Sequence, residues 1–81
     1  MAVSLERMIE IFEEYNNNPT LSRDDFNKAY VKIVLENEGV TYDALSQYTY
    51  QERLIAYGKV EERILAAAAM LNILNSNNFA N

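Results

Sequence analysis

The chain has no cysteine and no histidine, and only one proline and two glycines in 81 residues; each scarcity closes off a class of protein. Without cysteine there is no disulfide framework, and without Cys or His there is no ligand set for a structural zinc. The same absences remove the commonest general base, the commonest transition-metal ligand and the thiol nucleophile. Catalysis would have to rest on carboxylates, tyrosines and hydroxyls. The adjacent acids Glu13-Glu14, Asp24-Asp25 and Glu61-Glu62 project about 100° apart on a helix, so they do not converge on one atom and read as solvated faces. A calcium loop needs acids at alternate positions around a central glycine, and no such run occurs. Gly39 and Gly58 stand alone, so no glycine-rich loop cradles a phosphate. The expectation is a non-enzymatic chain with no cofactor, no metal and no small-molecule substrate.

Long hydrophobic runs are missing as well. The longest, Ile64 to Leu71, has 8 residues before Asn72, against the roughly 20 that a bilayer span requires. The first residues, MAVSLERMIEIFEE, carry Glu6 and Glu10 where a signal peptide has an uncharged core. A cytoplasmic location is expected, in a host cytoplasm or a virion if the source is viral. Basic residues are few: 7 against 12 acids, net −5, with 8 acids and 4 bases in residues 1–38 and 4 and 3 in residues 39–81. Phosphate backbones would be mildly repelled. A short helix from Thr41 followed by another from Thr49 has the outline of a helix-turn-helix. The presumptive reading helix, however, opens with Gln51, Glu52 and Arg53 and interleaves Glu52, Glu61 and Glu62 with its three bases, so the basic stripe of a DNA reader is absent.

At this length a chain buries only about 60–65% of the surface its unfolded form exposes. With the usual staples missing, close helix packing or self-association must supply stability. The apolar fraction of 49% is that of a folded protein.

Four helix starts share one local chemistry, a capping hydroxyl flanked by two apolar residues. Ser4 lies between Val3 and Met8, and Ser22 between Leu21 and Phe26, with Asp25 at the capping-box position. Thr41 lies between Val40 and Leu45, and Thr49 precedes Glu52 in a second capping box. The spacing predicts helices at about 4–17, 22–38, 41–48 and 50–75. The first ends at Asn16-Asn17-Asn18-Pro19, since the residue before a proline leaves the helical region, and the second ends at Gly39 in the left-handed conformation. Leu5, Met8, Ile9, Phe12 and Tyr15 form one buried stripe, and Phe26, Ala29, Tyr30, Ile33 and Val34 another. The last helix would span about 39 Å, with Gly58 as its one weak point. The predicted fold is all-α: a small four-helix bundle with three shorter helices packed on a long C-terminal helix, one domain over 1–75 and a flexible polar tail at 76–81.

Within the last helix Tyr57, Val60, Ile64, Ala67, Leu71 and Leu74 alternate spacings of three and four, a coiled-coil-like seam, with Leu65 and Ala68 as a second apolar row. The four alanines Ala66 to Ala69 cover the helix circumference, so neighbours can approach on more than one side. Helices 1 and 2, or other copies of the chain, would surround this segment; alternatively the alanines only stiffen the helix. Tyr57, Val60, Ile64, Ala67, Ala68, Leu71 and Leu74 are therefore candidate self-association residues. Tyr42, Tyr48, Tyr50 and Arg53 cluster near the start of the last helix and are candidates for a protein-binding patch, because Tyr and Arg dominate interface hot spots. The same tyrosines also suit the rim of a core. The expected partner is the chain itself or another protein, not a membrane or a nucleic acid. The leading expectation is a small assembly or adaptor subunit, conceivably a viral accessory protein. The alternative is an acidic inhibitor that blocks a host nucleic-acid-handling or defence protein, and a helix-turn-helix reader ranks third.

Overall fold

A computed structural model describes residues 2–16 and 20–80, with side chains described through residue 75. The described residues form five helices and no strand: α1 (Leu5–Tyr15), α2 (Arg23–Glu38), α3 (Tyr42–Ser46), α4 (Tyr50–Gly58) and α5 (Glu61–Ala80). The molecule is elongated, with principal extents of 46 × 20 × 17 Å.

Each of the four capping residues adopts extended backbone and accepts from an amide of the first turn. Ser4 accepts from Arg7, Ser22 from Asp25, Thr41 from Ala44 and Thr49 from Glu52, at 3.1 to 3.2 Å. At Thr49 the box is reciprocal, since the Glu52 carboxylate accepts from the Thr49 amide at 2.8 Å. That bond to the charged form holds the Glu52 carboxyl below its usual range. Gly39 closes α2 at φ 68°, ψ 33°, a left-handed conformation. Its amide and that of Val40 both donate to the Leu35 carbonyl. The observed helices are shorter than the spacing predicts by a residue or two at several ends, as frayed termini dictate.

The predicted long C-terminal helix is two helices. Its ladder is interrupted at Lys59-Val60, where the Val60 amide reaches back only three residues to Tyr57 before regular bonding resumes with Ile64 donating to Val60. Lys59 itself has helical dihedrals, φ −62° and ψ −28°. The break follows from tertiary demands on a segment that Gly58 makes pliable. The Lys59 ammonium pairs with Glu38 at 3.2 Å, and Val60 is sunk into the core at 1% exposure. Lys59 then caps the negative end of α4, and Glu61 and Glu62 occupy the positive first turn of α5. At the other end α5 runs on to Ala80, so its backbone is helical across 76–80, the segment predicted to be a tail.

α1 is the central element, with α2 on one side and α5 on the other. At its N-terminal end the Val3 amide donates to Asn37 near the end of α2, and Arg63 near the start of α5 donates to the Val3 carbonyl. α2 therefore runs antiparallel to α1, and α5 parallel to it. Lying between two partners, α1 buries Ile11 in addition to Met8 and Phe12 of the predicted stripe. From α2 come Ala29, Ile33 and Val34, from α4 Ala56, and from α5 Ile64, Ala67, Ala68 and Leu71. An aromatic chain links the elements: Phe12 to Phe26 at 5.6 Å, Phe26 to Tyr30 at 6.0 Å, and Tyr30 edge-on to Tyr57 at 5.7 Å. Burial pushes the Tyr30 hydroxyl above its usual range, which keeps it neutral.

Candidate protein-association surface

The seam predicted for self-association faces inward. Val60, Ile64, Ala67, Ala68 and Leu71 are all buried in the chain's own core, Tyr57 is half-buried against Tyr30, and of the seven candidates only Leu74 is exposed. The second row predicted from Leu65 and Ala68 divides, with Ala68 inside and Leu65 at 54% exposure.

The alanine run divides the same way. Ala67 and Ala68 are covered, whereas Ala66 and Ala69 are exposed. Around them the outward side of α5 is apolar in two rows of i, i+4, i+8 spacing: Leu65, Ala69 and Ile73, and beside it Ala66, Met70 and Leu74. Ile73 stands 61% exposed and Leu74 49%. The inner face reads large, small, small, large in Ile64, Ala67, Ala68 and Leu71, and the outer face repeats that alternation in Leu65, Ala66, Ala69 and Met70, all of them exposed. Between residues 64 and 74 only Asn72 is polar, so the helix is apolar nearly all round, a pattern that belongs to buried helices. Sequence reasoning passed over Met70 and Ile73, although the i+4 rows beside the main seam signal both.

Of the four residues expected to form one patch, the structure brings Tyr42 and Arg53 to one pocket. Tyr42 and Arg53 meet with Tyr57 around a small pocket of about 80 Å³, whose floor includes Leu45 and Ser46. Tyr48 lines a different depression with Glu52, Ile55 and Lys59, on another face of α4. Tyr50 is 69% exposed and lines neither of these two. A larger open groove of about 600 Å³ runs along α2, walled by Tyr15 and Tyr42, with Val31 and Leu35 between them. Its two cations are already engaged: Lys28 pairs with Asp24 at 3.1 Å, and Lys32 with Glu14 at 2.6 Å.

Charges are organised across the α1/α2 contact. Lys32, Glu14, Arg7 and Glu36 alternate in sign, the Arg7 guanidinium gripping Glu36 through two nitrogens at 3.0 and 2.5 Å and reaching Glu14 at 3.5 Å. The Arg7 hydrogen bond holds the Glu36 carboxyl below the usual carboxylate range, and that of Lys32 does the same for Glu14. Arg7 is raised above its ordinary value by the same pairing. Among the described residues no three acids converge as metal ligands would, and no polar or charged residue is fully buried. No helix of the described residues is long and apolar enough to cross a membrane.

No family model matches the chain, and comparison with curated proteins and with solved structures gave no match.

Proposed function

We propose that the protein is a non-enzymatic association module that binds its own kind through the outer face of α5. The observation that supports this reading is the pair of apolar rows at Leu65, Ala69 and Ile73 and at Ala66, Met70 and Leu74. Contiguous apolar surface on a small chain marks an interaction site, and a helix apolar nearly all round has the pattern of helices covered on more than one side. Covering this face would take roughly 500 Å² per copy out of water, about 1,000 Å² in all, at the lower edge of specific interfaces. The association is accordingly weak and concentration-dependent, as suits an assembly or adaptor subunit. The seam residues Val60, Ile64, Ala67, Ala68 and Leu71 act within the chain and build the platform that presents this face.

The test is absolute mass by light scattering after gel filtration, over a hundredfold range of concentration. Mass rising from 9.3 kDa toward a multiple of it is the expected result. A monomer throughout the range refutes self-association and directs attention to a foreign partner at the Tyr42/Arg53 pocket, as an inhibitor would require.

A further inference from the structure

Resting on that reading, we infer that the partner is a second copy docked antiparallel, with a two-fold axis passing beside Ala69. Three observations carry the inference. First, the outer row is symmetric in side-chain size about Ala69, which suits a two-fold contact between copies. Leu65 and Ile73 lie four residues on either side of Ala69, so a two-fold at Ala69 lays each Leu65 beside the other copy's Ile73 and lets the two alanines meet at the closest approach. Met70, one position off the axis, then falls over the small side chains at Ala66 and Ala69 of the other copy. Second, the face is ruled by ridges of i+4 spacing on both copies, and such ridges interdigitate at an interaxial angle of about 50°.

Third, charge selects the direction. Glu62 lies at the N-terminal end of this same face, seven residues before Ala69, and is exposed. Parallel pairing would set the two Glu62 carboxylates opposite each other at the edge of an apolar contact, where like charges are strongly disfavoured. Antiparallel pairing separates the two carboxylates by the length of the contact, and the sequence carries no charged residue after Arg63. It also sets the two helix dipoles head to tail.

The absence of cysteine makes the geometry directly readable. A tagged Leu65→Cys chain is mixed with untagged Ile73→Cys and treated with a short thiol-to-thiol crosslinker. Mixed dimers well above half of the crosslinked product are expected, whereas each variant alone should crosslink poorly. A nitroxide carried by Glu61→Cys, which leaves Glu62 in place, gives an independent reading. Eight residues from the axis at 1.5 Å each, it should sit about 24 Å from its counterpart, against about 14 Å in a parallel pair. Dimers with the shorter distance, or with predominantly like-to-like crosslinks, overturn the antiparallel arrangement and leave self-association standing. Absence of any dimer by mass overturns both. Glu62→Gln supplies the last check: removing the charge that selects direction should raise the like-to-like share, and no change would refute the electrostatic part of the argument.

Discussion

Leu71 and Ile73 are two residues apart on one helix, and the structure assigns their side chains to opposite environments. Leu71 is 3% exposed inside the intrachain core and Ile73 is 61% exposed on the outer face. Truncating Leu71 to alanine removes buried methyl groups and leaves a cavity, at a cost of about 2–5 kcal/mol. In a domain of this size that lowers the melting temperature by roughly 10–25 °C. Ile73→Ala removes three carbons that are largely in water, and alanine is the better helix former, so in dilute solution its effect should stay within about 0.5 kcal/mol. Association behaves differently. Three carbons at about 0.8 kcal/mol each, scaled to the exposed fraction, give about 1.5 kcal/mol per copy and about 3 kcal/mol per dimer, or roughly a hundredfold in Kd. Thermal melts at low concentration read the first quantity and sedimentation equilibrium reads the second. If Ile73→Ala unfolds the dilute chain as Leu71→Ala does, the division of α5 into an inner and an outer face is wrong. If it leaves Kd unchanged, this face is not the contact.

Three further outcomes follow from single positions. Gly58→Ala should stabilise the chain by up to about 1 kcal/mol in urea titration, because a Cβ there meets nothing within 4 Å and the residue is not in the left-handed region; a loss would mean that the α4/α5 break needs glycine. Gly39→Ala should cost about 1–2 kcal/mol by the same measurement even though its Cβ also finds open space, since φ 68° is strained for any side chain. Glu14 and Glu36 have folded pKa values depressed below the ordinary 4.5, so the stability they contribute is fully present above that value and is lost as pH falls through it toward the depressed values. Melting temperature followed from pH 7 to pH 3 should therefore fall on the acid side in wild type and fall less in a Glu14→Gln/Glu36→Gln variant, with added salt shrinking the difference because both carboxylates lie near the surface.

The elements that could be read from sequence are those fixed by contacts within a few residues. Ser4, Ser22, Thr41 and Thr49 cap helices because their hydroxyls reach an amide three positions on, and Gly39 ends α2 through a backbone conformation of its own. The break at Lys59-Val60 was invisible because both residue types suit a helix; it coincides with the docking of Lys59 on Glu38 and of Val60 in the core. Which side of α5 faces inward was legible from the alternation of threes and fours in Val60, Ile64, Ala67 and Leu71. Whether the other side mattered was not, since the rows at Leu65, Ala69 and Ile73 and at Ala66, Met70 and Leu74 mark that side as apolar without showing whether anything covers it. Within the tyrosine cluster, Tyr48 precedes α4 and lines one depression while Arg53 lies inside α4 and lines another with Tyr42, a division that nearness in sequence does not reveal.

The fold alone gives no reason for large aliphatic residues on the outer side of α5. None of the four large ones is buried, with Leu65 at 54%, Met70 at 42%, Ile73 at 61% and Leu74 at 49% exposure, and isoleucine is a poorer helix former than lysine or glutamate. A Leu65→Lys/Ile73→Glu variant should therefore fold as wild type does when dilute, which isolates the one property these residues serve. If the face is covered by a second copy, binding stabilises only the folded state, and the wild-type melting temperature rises with protein concentration. The charged variant then melts at one temperature across the same hundredfold range. A chain with no cysteine and a central helix of only 11 residues would thus obtain from association part of the stability that small folds draw from a staple. A wild-type melting temperature independent of concentration would refute self-association and show that packing within the chain suffices to hold α5.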